Sequence, residues 1–118
     1  MPEYLIFFNQ QWVPDYPVED FAEISKTSNA VVREIQDAGE LVFAGGLEET
    51  DALAHADYDN GESIVSDGPY VETKEWLGGL TIVDVPDDDR ARSWAGRLAV
   101  GCRWPQEIRK VGAGSAHG

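Results

Sequence analysis

The chain is short of cysteine, of basic residues and of long apolar stretches, and each shortage excludes a class of protein. Its 118 residues contain one cysteine, Cys102, so an intramolecular disulfide is impossible and a structural zinc site lacks ligands at the required spacing. Next to Arg103, this cysteine can be a reactive thiolate or a small structural residue, and the structural role is the commoner one. The apolar run in Glu3–Phe8 is too short for a secretory signal or a membrane span, which predicts a cytoplasmic protein without a membrane partner.

Basic residues are scarce as well. Nine lysines and arginines stand against 22 aspartates and glutamates, which gives a formal net charge of −13. Such a field repels the phosphate backbone of nucleic acids, and no local basic cluster offsets it. We therefore expect no nucleic-acid partner and interpret the acidity first as a contribution to solubility.

The chain does contain enough apolar material for one globular domain. Apolar residues make up 42% of it, and Trp, Tyr and Phe contribute four residues each. A chain of this length buries roughly two-thirds of its unfolded surface and needs no metal or disulfide to fold. We predict one domain over residues 1–111 and a flexible tail over residues 112–118, with no metal and no cofactor.

The first half of the chain predicts a strand, a helix and a second strand. Glu3–Asn9 is a continuous apolar run, typical of a strand buried on both faces. Val18–Ala38 has apolar residues at helical spacing, and Gly39 ends it. Glu40–Leu47 is the second strand, in which two adjacent glycines mark a bulge or a close backbone approach. The helical stripe consists of Phe21, Ile24, Val31, Ile35 and Ala38, with Ser28 as its one polar member.

The second half predicts a hairpin, a strand, a helix and a last strand. Asn60-Gly61 is a strong hairpin-turn signal between two short segments that alternate in polarity. Leu77–Val85 has the apolar character of a further strand. Asp87 and the two aspartates after it suit the capped, negative first turn of a helix, and a short strand lies within residues 105–111. The stripe of this second helix is Ala91, Trp94, Ala95 and Leu98.

This order of elements predicts an α+β fold of the ferredoxin-like, dimeric α/β-barrel type. Two helices cover one face of a mainly antiparallel sheet, and an extra β-hairpin is inserted. The other face then carries apolar side chains, Leu5 or Phe7 among them, that a monomer leaves exposed. We therefore predict a homodimer that forms through the sheet face.

Motifs of the common catalytic classes are absent, so the chemistry must be sought among single acid–base residues. His55 is the one histidine ahead of the C-terminal tail, and Asp57 follows two residues later on the same face of the predicted strand. The pair can act as a general base with its orienting carboxylate. A solvent-exposed histidine at a sheet edge explains the same pattern and is the more common case.

The segment after the hairpin, SDGPYVETKEWLGGL, raises a second possibility. Asp67-Gly68-Pro69 is a turn, and Tyr70, Glu72 and Lys74 then alternate onto one face of an extended chain. A phenol, a carboxylate and an ammonium on one face can bind a small polar ligand, or they can form an exposed strand with a weak surface ion pair. Arg109 in the last strand can clamp a ligand carboxylate, or it can pair with Glu107 or Asp84.

The stretch from Ser66 to Leu98 resembles the DGPF-type branch of the YCII-related proteins. Its pattern is Asp-Gly-Pro-aromatic, then x-E-T-K-E-x-L-G-G, a strand ending in D-V-P, and an acid-capped helix. The resemblance extends from Glu3 to Val111. It implies a ferredoxin-like fold that dimerises through its sheet, with the Asp-Gly-Pro segment beside a cleft near the dimer interface. It also implies genes that neighbour alternative sigma factors.

Some members of the wider group resemble enzymes with a His–Asp dyad whose histidine lies in or near the first helix. This chain has no histidine before His55, so that mechanism does not transfer. We predict a homodimer that binds or transforms a small polar metabolite, with Asp67, Glu72 and His55 as acid–base groups. The predicted ligand-binding residues are Gly68, Pro69, Tyr70, Lys74 and Arg109. The alternative is a non-catalytic interaction module, linked to transcription through a sigma-factor system.

Overall fold

A computed structural model describes residues 2–48, 52–69 and 77–118 of the chain. Within them lie six strands and two long helices, with a short 3-10 turn at Gln10–Trp12. No helix of this described part is long and apolar enough to cross a bilayer. The elements are β1 Glu3–Asn9, α1 Val18–Asp37, β2 Leu41–Gly46, β3 Ala54–Asp59, β4 Glu62–Asp67, β5 Leu77–Asp84, α2 Asp88–Cys102 and β6 Glu107–Lys110.

Four of the strands form an antiparallel sheet in the order β2-β5-β1-β6. The apolar strands β1 and β5 are central, as the continuous run in β1 predicts. Ile6 of β1 lies opposite Thr81 of β5 and Ile108 of β6, so the three side chains share one face of the sheet. With two helices, this is the predicted α+β, ferredoxin-like arrangement, and the fold prediction is confirmed.

Both helices pack on the sheet face that carries Tyr4, Ile6 and Val83. The predicted stripe of α2 is buried in full, and in α1 Ile24, Val31 and Ile35 are buried. Burial of a side chain such as Ile35 stabilises the fold by roughly 1.5–3 kcal/mol. The predicted burial is wrong for Ala38, which is exposed, and for Phe21, whose side chain is 43% exposed. Phe21 lies in the first turn of α1 and meets the ring of Tyr16 edge-on, with 6.4 Å between ring centroids.

The helix ends follow from local residues. Gly39 adopts a φ of +73° after α1, a left-handed conformation that glycine reaches without steric cost. Asp87 caps α2 as predicted, because its Oδ1 accepts a hydrogen bond from the backbone N–H of Arg90 at 2.8 Å. One hydrogen bond joins the two helices, in which Thr27 Oγ1 donates to the carbonyl oxygen of Gly101 at 2.5 Å.

The predicted hairpin is present as a separate two-stranded sheet of β3 and β4. Its turn residues have the positive φ that a tight hairpin requires, 49° at Asn60 and 86° at Gly61. The radius of gyration is 16.4 Å, whereas a compact domain of this length has about 13.5 Å. The hairpin therefore extends from the domain, and apolar side chains on it, such as Leu53 and Val65, are largely exposed.

Candidate functional site

The hairpin holds four of the residues that the sequence predicts for a site. His55 lies on β3 opposite Ser66, Asp67 is the last residue of β4, and Gly68 and Pro69 follow it. His55 Nδ1 is 3.1 Å from the carbonyl oxygen of Gly68. Gly68 has a φ of +82° and donates its N–H to the carbonyl oxygen of Leu53 at 3.0 Å. The base of the hairpin is thus a hydrogen-bonded turn, and it brings the His55 ring to the Asp-Gly-Pro segment.

Asp57 and Arg109 are not part of this turn. The carboxylate of Asp57 accepts a hydrogen bond from the backbone N–H of its neighbour Tyr58 at 2.7 Å. Arg109 lies on β6 opposite Leu5, in the four-stranded sheet and on the face away from the helices. Tyr70, Glu72 and Lys74 lie outside the described residues.

A pocket that the sequence did not predict lies between the sheet and the two helices, and we call it the sheet–helix pocket. Its volume is about 250 Å³. The sheet supplies Phe8, Ala44 and Thr81, while the apolar side chains of Val32 and Leu98 come from α1 and α2. It opens at the end of the sheet where β1 ends, β2 ends and β5 begins. The glycine pair of β2, Gly45-Gly46, and a second pair in β5, Gly78-Gly79, belong to this end of the sheet.

The floor of the pocket depends on those glycines. A Cβ atom at Gly78 would lie 2.6 Å from Cε2 of Phe8, and one at Gly79 would lie 2.9 Å from Cε1 of the same ring. The Gly79 Cβ would also lie 3.1 Å from the carbonyl oxygen of Gly45. For the glycines of β2, the predicted close backbone approach is present, because Gly45 meets Gly79, whereas the register of β2 shifts between Leu41 and Phe43. The register of β1 and β5 shifts beside Phe8. The Phe8 ring therefore rests on bare backbone.

Trp104 packs against the same Phe8 ring, with 5.1 Å between the ring centroids and 56° between the ring planes. The two side chains form an aromatic wall that is favourable for packing a flat molecule. Trp104 Nε1 is itself shielded and has no acceptor in the described part of the chain.

The polar groups of the pocket are uncharged. They are the hydroxyls of Ser28 and Thr81 and the carboxamides of Asn29 and Gln106. Asn29 Nδ2 is 3.4 Å from Ser25 Oγ, and Ser28 Oγ donates to the carbonyl oxygen of Ser25 at 3.1 Å, so both side chains are oriented along α1. The arrangement can hold hydrogen-bonding groups of a ligand against an apolar floor.

Cys102 also lines the sheet–helix pocket, but as a buried thiol. Burial raises its pKa from 9.0 to about 11, so the thiol is protonated at neutral pH. Because the thiolate is the nucleophilic form, a protonated Cys102 is a poor nucleophile at neutral pH.

Sequence reasoning missed the pocket because its residues are dispersed along the chain. Phe8, Ser28, Ala44, Thr81 and Gln106 come from five different parts of the sequence and meet only through the sheet order and the helix crossings. The available signal was Ser28, a polar residue within an otherwise apolar helical stripe.

The fold, with its antiparallel sheet, paired helices and glycine-lined pocket, belongs to a known class of small α+β domains. A family model described as "YCII-related domain" matches residues 8–101. The chain therefore belongs to the YCII-related family. The match begins at Phe8 and ends before Trp104 and Gln106, so one wall of the pocket lies outside the matched region.

The chain is also similar in sequence to a curated protein. An uncharacterized protein of Rhizobium meliloti (strain 1021) is 36% identical to the chain over 81 residues. The aligned part is 69% of this chain and 65% of the relative, so the chain matches somewhat less than two thirds of that protein's length.

Proposed function

We propose that this YCII-related protein binds a small molecule in the sheet–helix pocket. The observation that carries the proposal is the aromatic wall of Phe8 and Trp104, with hydroxyl and carboxamide groups placed around it. Concave, largely apolar pockets with a few convergent polar groups are the usual sites of small ligands. Gly78 and Gly79 support the proposal, because a side chain at either position would displace the Phe8 ring that lines the pocket.

A chemical transformation would require an acid–base group in addition to this pocket. We propose the residues predicted from the sequence, Asp67, Glu72 and His55, because no acid or histidine lines the described part of the pocket. The hairpin turn that joins His55 to Gly68 supports a role for this segment. Glu72→Gln and His55→Gln are expected to abolish turnover of a substrate while its binding in the pocket persists.

We also propose that the protein is a homodimer through the open face of its four-stranded sheet, the face that the helices leave uncovered. The cross-strand register places Leu5, Ile82 and Phe43 side by side on this face. Phe7 and Leu80 form the next row, and the Phe43 side chain is 53% exposed. An apolar sheet face of this kind is stabilised by burial against an identical face.

The test of pocket binding is a pair of variants that differ only in position. Ala44→Leu places a larger side chain on the helix-facing side of β2, within the pocket. Ala56→Leu makes the same change at an exposed position of β3. If the proposal is correct, small-molecule binding measured by NMR titration is lost in Ala44→Leu and retained in Ala56→Leu. Equal binding by both variants would refute the proposed site.

The second candidate function is a non-catalytic interaction module linked to transcription. The observation that favours it is the hairpin, where Leu53 is 93% exposed and Tyr58 is 76% exposed. Isolated two-stranded hairpins are marginally stable in water, and an apolar partner surface would stabilise this one. Tyr58→Ser combined with Leu53→Ser would then abolish partner binding and leave ligand binding in the pocket unchanged.

A further inference from the structure

We infer that the ligand of the sheet–helix pocket is an uncharged, ring-containing molecule with hydrogen-bonding groups at its edge. The inference rests on the proposed function, since it names the kind of molecule that this pocket accepts. It assigns a ligand class from three features of the described lining: its charge, its shape and its polar groups.

The charge of the lining is the strongest of the three. The chain carries 22 acidic and 9 basic residues among 118, yet no described residue that lines the sheet–helix pocket is charged. A charged ligand moved from water into such a pocket loses hydration without gaining a counter-charge. The net charge of −13 disfavours an anion further, because the field of the whole protein repels it.

The shape of the pocket sets the size and form of the ligand. A volume of about 250 Å³ is below the roughly 300–1,000 Å³ of sites that enclose drug-sized molecules. The aromatic wall of Phe8 and Trp104 and the aliphatic side chains of Val32 and Leu98 offer apolar contact. A single planar ring with a small substituent fits these surfaces.

The polar groups determine what the substituent must be. The carboxamides of Asn29 and Gln106 and the hydroxyl of Thr81 each provide both donor and acceptor capacity. Thr81 makes no side-chain hydrogen bond within the described part of the chain, and it is 8% exposed. A neutral carbonyl, hydroxyl or amide matches these groups, whereas a carboxylate would meet acceptors as well as donors.

The test uses four ring compounds of similar size: benzamide, benzoate, benzamidinium and toluene. Binding to the full chain is measured by NMR titration at neutral pH. We expect benzamide to bind about tenfold more tightly than either ion, a difference of about 1.4 kcal/mol. Thr81→Val and Gln106→Leu each remove a hydrogen-bonding group, so each should weaken the binding of benzamide about fivefold. The binding of toluene should be unchanged in both variants. Ser93→Ala, on α2 and outside the pocket, is the control for loss of a hydroxyl.

The outcomes separate the inference from the proposed function. If benzoate or benzamidinium binds in the pocket more tightly than benzamide, the ligand class is wrong and the pocket function stands. If Thr81→Val and Gln106→Leu weaken toluene as much as benzamide, the polar groups do not recognise the ligand and the inference also fails. If none of the compounds shifts resonances of pocket residues, the proposed function itself is refuted. Ala44→Leu and Ser28→Phe, which fill the pocket from opposite walls, both abolish binding if the site is correct.

Discussion

The ring of Phe8 occupies the space in which a side chain at Gly78 would have to lie. A Cβ atom on Gly78 would come within 2.6 Å of Phe8 Cε2, and Trp104 packs against the same ring. The floor of the sheet–helix pocket is therefore fixed by a glycine from one central strand and an aromatic residue from the other. Stability and ligand binding should both respond to a change at this contact.

The first prediction concerns the added methyl group at this contact. Gly78→Ala is expected to lower the free energy of unfolding by about 1–3 kcal/mol, because the Phe8 ring or the backbone must shift. Urea unfolding measures this change. The matched control is Gly96→Ala in α2, where an added Cβ has no neighbour within 4 Å. That variant should be more stable by about 0.5–1 kcal/mol, since alanine favours a helix interior over glycine. Equal effects of the two variants would contradict the role of Phe8.

The second prediction separates the ring of Trp104 from its N–H group. Trp104→Phe keeps an aromatic ring against Phe8 and removes a buried N–H that has no acceptor in the described part of the chain. We expect a change of less than about 1 kcal/mol, because the lost packing is offset by the removal of an unsatisfied donor. Trp104→Ala should cost about 3–5 kcal/mol as its ring contacts are lost. Thermal or urea unfolding of both variants checks this, and a large loss in Trp104→Phe would contradict it.

The third prediction concerns the buried carboxylate of Glu40, which is 8% exposed. Its Oε1 accepts hydrogen bonds from Arg90 Nε at 2.8 Å and from Trp94 Nε1 at 3.3 Å. Glu40→Ala removes the acceptor of the buried indole, so we expect a loss of about 1–3 kcal/mol in the free energy of unfolding.

The control for Glu40 is the ion pair between Asp89 and Arg92, in which both side chains are mostly exposed. Asp89→Ala should change stability by about 0–1 kcal/mol, as solvent screens such pairs. A Glu40→Ala variant as stable as Asp89→Ala would show that the buried contacts are not stabilising.

The fourth prediction is a dependence of stability on alkaline pH. Tyr4 donates its hydroxyl proton to Asp88, and this hydrogen bond raises the pKa of Tyr4 from 10.0 to about 12. The unfolded chain therefore loses this proton at lower pH than the folded chain does. The stabilisation is complete below pH 10.0 and is lost as the pH rises to about 12.

The difference in stability between the wild type and Tyr4→Phe measures this contribution. It should be largest at neutral pH and should shrink through the alkaline range. A stability difference that stays constant with pH would contradict a contribution from the Tyr4–Asp88 hydrogen bond. The same hydrogen bond lowers the pKa of Asp88. The stabilisation that the Asp88 carboxylate contributes is therefore lost in acid, as the pH falls through that lowered pKa.

The fifth prediction concerns the proposed dimer. Phe43→Lys places a charge on the open face of the sheet, and we expect light scattering to give a monomer where the wild type gives a dimer. Val100 on α2 is 80% exposed and lies on a helix instead of the open face, so Val100→Lys should leave the dimer intact. A wild-type monomer at micromolar concentration would refute the homodimer.

Much of the fold was predictable because its signals are local. The apolar run of β1, the Asn60-Gly61 turn and the aspartate cap of α2 each depend on a few adjacent residues, and all three were confirmed. Phe21 was predicted wrongly, because helical periodicity identifies a stripe but not how far the stripe stays in contact with the sheet.

The candidate site was less predictable. Sequence pattern favoured the turn at Asp67–Pro69, and the structure does place His55 against that turn. The sheet–helix pocket depends on long-range packing, in which Phe8 from β1 meets Ala44 from β2 and Gln106 from the approach to β6. No local period or motif encodes such a meeting, so only the sheet order and the helix positions reveal it.

A crystal structure of the protein soaked with benzamide tests the central claim most directly. We predict density for one molecule in the sheet–helix pocket, in contact with Phe8 and within hydrogen-bonding distance of Thr81 or Gln106. An empty pocket, with benzamide bound instead at the hairpin beside His55 and Asp67, would contradict the assignment of the site.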